Sequence, residues 1–262
     1  MEPTLPQIIL LAIVQGIAEF LPISSSGHLV IVAALMGVDA ERFDLVELNI
    51  VLHAGTLGAI LLYYREQLLR LLTDDRRVLL LLFVATLPAV VVALLLKGTG
   101  ADHLLSSPLV AGICLLVTGV VLLASKWTAQ RELHYREMSW SKALLMGVAQ
   151  SIAILPGISR SGSTICTGLG LGLSREQAAT FSFLMAVPAI TGACVLEGAK
   201  LLRDPSTTTS APLLLLGAAI SFAVGYAALA LLIKIVKYDL LHWFAAWCFL
   251  AGLGVIVWRL AG

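Results

Sequence analysis

Apolar residues run through this 262-residue chain in blocks of about twenty, parted by short stretches that collect most of its charges. Six blocks are uninterrupted: 46–64, 78–96, 108–126, 177–200, 212–235 and 241–260. Each matches the roughly 20 helical residues that span a hydrocarbon core of about 30 Å. Ten-residue segments of alternating polarity, the mark of a membrane β-barrel, are missing. Two more apolar stretches, near 7–37 and 142–173, are broken in the middle by Pro, Gly and Ser. One straight helix cannot carry Leu21-Pro-Ile-Ser-Ser-Ser-Gly27, because proline and glycine interrupt the hydrogen-bond ladder. Two full crossings need about 40 residues, more than either stretch has. The pattern therefore predicts two helix–break–helix hairpins, each entering and leaving on one side. Broken backbone at that depth is tolerated where protein or a water-filled cavity surrounds it.

The two broken stretches are versions of one sequence. Shifting the first by about 135 positions pairs Gln15 with Gln150, Ile23 with Ile158, Ser24 with Ser159, Ser26 with Ser161 and Gly27 with Gly162. Glu19 meets Ile154, Ser25 meets Arg160 and His28 meets Ser163. One copy carries a carboxylate and an imidazole, the other a guanidinium. Each half is a hairpin followed by three crossings, and three is odd, so the second half is inverted relative to the first. The expected architecture is an all-α integral membrane protein with six transmembrane helices and two re-entrant hairpins in an inverted-topology repeat. It forms a single membrane domain over 1–262, with halves at about 1–127 and 140–262. Inverted repeats of this kind bring their broken helices together near the bilayer midplane.

Composition supports the membrane reading, with 59% hydrophobic residues, 13% charged residues and a mean hydropathy of +0.97. With both hairpins re-entrant, eleven Lys and Arg share the side of 65–77, 125–142, Arg175 and 234–240, against five on the other side, Arg160 lying at a break. Positive charge favours the cytoplasm, so both termini are expected outside it. A net charge of +1 gives no pointer to nucleic acid as a partner. Trp127, Trp140, Trp243 and Trp258 fall near span ends, as in an interfacial belt. Cys114, Cys166, Cys194 and Cys248 lie in apolar segments without metal-ligand spacing and read as packers. Residues 1–6 show neither a basic n-region nor an A-x-A site, so no removable signal peptide is expected. The glycines 168, 170 and 172 offer close packing within the chain or between copies, which leaves a homodimer open.

The chemistry concentrates at the hairpins. Gln15 and Glu19, one helical turn apart, offer an amide and a carboxylate oxygen to a hard divalent cation such as Mg²⁺ or Ca²⁺; the alternative is bridging between helices. Arg160 stays charged and makes forked bonds to phosphate. The helix start behind it, with Ser159, Ser161, Ser163 and Thr164, completes an anion cradle. An Arg160–Glu19 ion pair locking the halves is the structural alternative, expensive when buried. Ser24, Ser25 and Ser26 serve equally as helix caps or as ligands, and Ser25 near His28 and Glu19 is a candidate nucleophile. His28 is a candidate general acid or base. His53, expected mid-crossing, divides evenly between ligand and packing roles. Glu197 and Lys200 suit an interfacial pair, and His103, His134 and His242 suit loops.

Glu19-Phe-Leu-Pro-Ile-Ser-Ser-Ser-Gly-His28 and Pro156-Gly-Ile-Ser-Arg-Ser-Gly-Ser-Thr164 resemble the signatures of the bacterial undecaprenyl-pyrophosphate phosphatases, the membrane enzymes associated with bacitracin resistance. The likeness extends along the whole chain, including Phe181-Ser-Phe-Leu-Met-Ala-Val-Pro188. The resemblance implies removal of the terminal phosphate from undecaprenyl pyrophosphate, to regenerate the lipid carrier of cell-wall sugars. It also implies a divalent cation, a bacterial inner-membrane location among membrane lipids and action from the periplasmic side. Glu19 takes the place of the motif carboxylate, Ser25 of the proposed nucleophile, His28 of the motif histidine and Arg160 of the phosphate-binding arginine. Gln15 fills a position where the family has Glu or Gln. The rival reading is a lipid-phosphate transporter with a midplane anion site.

Overall fold

Serine and proline set many of the helix boundaries. Ser24, Ser107, Ser139 and Ser159 each accept a hydrogen bond from the backbone N–H three residues on, and Pro108 and Pro212 occupy first turns, where no N–H partner is lost. The computed structural model describes residues 4–37, 45–96, 99, 102–128, 131–203 and 210–261. Its helices are α1 (Leu5–Phe20), α2 (Ser25–Leu35), α3 (Leu45–Tyr63), α4 (Arg65–Leu72), α5 (Arg76–Leu96), α6 (Asp102–Leu105), α7 (Pro108–Ala124), α8 (Trp140–Ile152), α9 (Arg160–Gly170), α10 (Arg175–Arg203), α11 (Ala211–Lys237) and α12 (Phe244–Ala261). The only extended pairing among the described residues is a bridge between Leu133 and Leu173.

Five helices, α5, α7, α10, α11 and α12, are long and apolar enough to cross a membrane. The sixth expected crossing falls on α3, which over Leu48–Tyr63 is apolar but shorter than these five. Large apolar side chains stand exposed along them, among them Phe83, Leu95 and Leu250, a surface that hydrocarbon covers rather than water. Trp127 and Trp243 are among the most exposed aromatics, at span ends as the belt requires. The pairing expected between Glu197 and Lys200 lies outside the described side chains.

Contacts at the two ends of the bundle fix how the hairpins enter. Ile8, Leu11 and Ala12 of α1 form one apolar cluster with Leu48 and Leu52 of α3, and Met36 after α2 and Leu213 of α11 pack against it. The other end is tied by polar contacts. Arg77 donates to the carbonyls of Arg136 and Met138, Asp75 pairs with Arg136 at 2.7 Å, Leu133 bridges Leu173 and Arg175 pairs with Asp239 at 2.6 Å. The start of α8 and the end of α9 thus share the basic end, whereas the start of α1 and the end of α2 share the opposite end. Both hairpins are re-entrant, from opposite sides.

The halves also exchange partners. α1 packs on α11 and α8 packs on α5, while α3 pairs with α10 and α7 with α12. With α1 equivalent to α8, and α5 to α11, this is the pattern of a two-fold relation. Single residues repeat it. The Thr118 hydroxyl of α7 donates to the Gly157 carbonyl at 2.7 Å, and the Cys248 thiol of α12 points to the carbonyl of Pro22, the repeat equivalent of Gly157, at 3.8 Å. A Cβ on Gly27 would overlap Gly157, and one on Gly162 would press on Pro22. All four cysteines are unpaired, and three are buried packers as expected.

Candidate active site

The two breaks meet in the middle of the bundle. Residues 21–24 and 153–159 leave helical geometry, and Ser24 Oγ accepts from the N–H of Gly157 at 3.0 Å as well as from its own helix at Gly27. Ser24 holds φ 70°, a left-handed conformation rare for serine and maintained by these cross-hairpin bonds. Gly157 has φ +93°, and a side chain there would collide with the Ala111 carbonyl of α7. The backbone requires glycine at this approach.

Glu19, 7% exposed, is the centre of the junction. Its Oε1 accepts from Arg160 Nη2 at 2.6 Å, so the two halves are joined through opposite charges. Its Oε2 accepts from Ser25 Oγ at 2.7 Å and from Gln15 Nε2 at 3.2 Å. The His53 ring approaches the same oxygen, with Nε2 at 3.6 Å, while its Nδ1–H donates to the Asn49 carbonyl at 2.8 Å. Arg160 lies over the Phe183 ring at 5.7 Å, and its buried Nη1 has no protein partner. The Gln15 Oε1 atom is buried without a donor.

Glu19, Ser25, His53 and Arg160 line a cavity of about 590 Å³, whereas Gln15 is buried behind Glu19 and does not line it. Ser24, Ser26, Ser159 and Ser161 line it too. Its remaining walls are largely apolar, from Ala89 to Leu94 on α5 and from Pro188 to Leu196 on α10. Leu105 of α6 marks its far end, away from the basic loops.

Two expected site residues are placed elsewhere. His28 is not among the residues lining the cavity. Its Nδ1 bonds the Ser24 carbonyl at 2.9 Å, its Nε2 accepts from the Trp247 indole at 3.0 Å, and its ring stacks on that indole. With one nitrogen donating and the other accepting, the ring is a satisfied neutral imidazole. It positions the Ser24 turn and is not turned toward the Ser25 hydroxyl. Thr164 is fully buried one turn into α9, bonding the Arg160 carbonyl and the Ser182 hydroxyl, so it does not reach the cavity as the phosphate contact expected. His53 takes the histidine position beside the carboxylate. An ionisable group in mid-span was its sequence signal, but nothing in the sequence aimed it at Glu19. Trp247 was not legible as a partner of His28, since 219 residues separate them.

Among the described residues no three His, Cys, Asp or Glu side chains gather as a self-sufficient metal site. Gln15 Oε1 and the Glu19 carboxylate are oxygen donors of the type a hard cation takes, although it is Gln15 Nε2 that faces the carboxylate and Gln15 does not line the cavity.

Fold and site together define a polytopic helical membrane protein in which inverted hairpins bury a serine, a carboxylate and an arginine in the wall of a largely apolar cavity. The model of the bacitracin resistance protein BacA family matches residues 8–254, and the chain belongs to that family. A protein of Rhodopirellula baltica named undecaprenyl-diphosphatase is 51% identical over 97% of this chain and 98% of its own. A protein of the same name from Desulfatibacillum aliphaticivorans is 40% identical over 96% of this chain and 97% of its own. One from Corynebacterium efficiens is 39% identical over 96% and 89%.

Proposed function

We propose that the chain hydrolyses undecaprenyl pyrophosphate to undecaprenyl phosphate and inorganic phosphate. The observation that carries this is the Ser25–Glu19–Arg160 cluster in the wall of a cavity whose α5 and α10 sides are largely apolar. Phosphoryl transfer needs positioned groups and positive charge more than covalent help from the protein. Arg160 supplies charge without leaving Glu19. Nη2 stays on the carboxylate, while Nη1 is free to bond the terminal phosphate. Ser159 and Ser161 add hydroxyls at the start of α9, and Ser26 does so at α2.

In the first step Ser25 Oγ attacks the β-phosphorus, its proton passes to Glu19, and the bond to the bridging oxygen breaks, releasing undecaprenyl phosphate. In the second step water attacks the phosphoserine and its proton passes to His53 Nε2, Ser25 recovers its proton from Glu19 as the P–O bond to serine breaks, and the departing phosphate carries the proton from His53 to solvent. Gln15 Oε1 and Glu19 are the groups that would hold a divalent cation, which when bound neutralises pyrophosphate charge. The polyprenyl chain lies along the apolar walls of α5 and α10. We place the cavity mouth on the periplasmic side, because it lies opposite the basic loops, in a bacterial inner-membrane protein built of two inverted halves, 1–127 and 140–262.

The test is phosphate release from undecaprenyl pyrophosphate by purified protein in detergent, with Mg²⁺, Ca²⁺ or EDTA, beside Glu19→Ala and Arg160→Ala. Turnover is expected with metal and lost with EDTA and in both variants. A folded wild type that releases no phosphate under any metal would overturn the phosphatase reading in favour of a lipid-phosphate transporter.

A further inference from the structure

Gln150 occupies the repeat position of Gln15, yet the two amides are employed differently. Gln15 is bonded to Glu19 one turn on. One turn after Gln150 stands Ile154, which offers no partner. Gln150 is 4% exposed, and neither its Nε2 nor its Oε1 has a hydrogen-bond partner. It lines the same cavity as Arg160. A buried carboxamide with both ends unpaired is unfavourable and calls for an explanation. Placement in a cavity wall provides one, a partner brought by the ligand.

The neighbourhood indicates which part of the ligand that is. α8 is pressed onto α5, where a Cβ on Gly147 would collide with the Ala85 carbonyl and the Pro88 ring. Ala153 and Ile154, which follow Gln150, and Thr86, Ala89 and Val90 of α5 form the adjoining, mostly apolar wall. The reacting groups gather instead on Glu19 of the first hairpin. A phosphate held by Gln150 lies between that cluster and the walls suited to the prenyl chain. On the pyrophosphate reading above, we infer that Gln150 binds the phosphate that remains on the lipid, Nε2 donating to one of its non-bridging oxygens.

Gln150→Met keeps the size of the side chain and removes both polar ends. The unliganded variant is expected to melt at or above the wild-type temperature, because no protein hydrogen bond is lost. Its affinity for undecaprenyl phosphate, measured as a ligand-induced melting shift in detergent, should weaken roughly 10- to 100-fold, the loss of one hydrogen bond to a charged group. KM for the pyrophosphate should rise by a similar factor, with inhibition by inorganic phosphate unchanged. A variant that fails to fold, or melts lower with unaltered undecaprenyl phosphate affinity, makes Gln150 structural and overturns the inference. So does weakened inhibition by inorganic phosphate with unchanged lipid-phosphate binding, which assigns the residue to the terminal phosphate. Because lipid-phosphate binding is read without turnover, a wild type that hydrolyses nothing defeats the enzymatic reading and leaves this measurement standing.

Discussion

Glu19 holds an arginine, a serine and an amide at once, with a histidine at the edge of contact, and the energetics of that cluster are asymmetric. Removing one member of a buried ion pair strands the other charge, whereas removing both restores a neutral interior. Glu19→Leu and Arg160→Met should each destabilise the fold by about 2–3 kcal/mol given that Arg160 is partly exposed, seen as a lower melting temperature in detergent. The double variant should recover most of the loss and remain inactive. An additive loss in the double variant would mean that the pair is not the interaction being broken. Arg160→Lys keeps the charge but loses the fork that spans carboxylate and phosphate, and kcat should fall about 10²-fold. The two histidines separate in the same way. His53→Ala should lower kcat about 10²-fold, while Trp247→Phe, which only releases His28 Nε2, should change it less than tenfold. Equal losses in the two variants would return His28 to the chemistry.

At the scale of elements, the hairpins work because their breaks interlock. Gly157→Ala would combine a positive φ with a clash against α7, and Gly27→Ala would force the second break away from the first. Each should cost about 1–3 kcal/mol and separate Ser25 and Glu19 from Arg160, so activity falls further than expression. Gly170→Ala, with open space around its Cβ, is the matched control and should be silent. Activity assays on the three variants at equal folded protein decide this; an inactive Gly170→Ala would make glycine loss in general the cause. The hairpins were legible because a proline–glycine–serine break within a 30-residue apolar run has few other solutions. Which glycine of a break is critical was not legible, since the colliding atoms belong to α7 or to the other half.

For the whole molecule, the two ends of the bundle carry separate predictions. Single cysteines at His134 and Tyr238, in an otherwise cysteine-free background, should react with membrane-impermeant thiol reagents only after the cytoplasmic face is opened. Cysteines at Leu5 and Ala211 should react in intact cells. Labelling of all four from outside would break the orientation. If the apolar cavity walls take the prenyl chain as proposed, they offer burial and no polar contact, so shorter prenyl pyrophosphates should turn over with kcat within about tenfold, the loss falling on KM. A sharp length cutoff in kcat would show a measuring contact in those walls.

The sequence by itself determined the helices, the two breaks, the re-entrant hairpins and the residue types at their tips. These follow from short-range physics, namely apolar length against bilayer thickness, the missing N–H of proline and the charge of loops. The pairing of Glu19 with Arg160 was legible as a possibility, because the repeat aligned their two hairpins. Tertiary structure alone decided what each side chain faces. Ser25 and His28 sit three residues apart on α2, yet one turns to Glu19 and the other to Trp247 of α12. The rotation of a helix about its axis is set by what packs against it, and for α2 that is α1 and α7 of its own half together with Trp247 of the other. Packing likewise withdrew Thr164 into the α9–α10 contact and delivered His53 and Gln150 to the cavity wall.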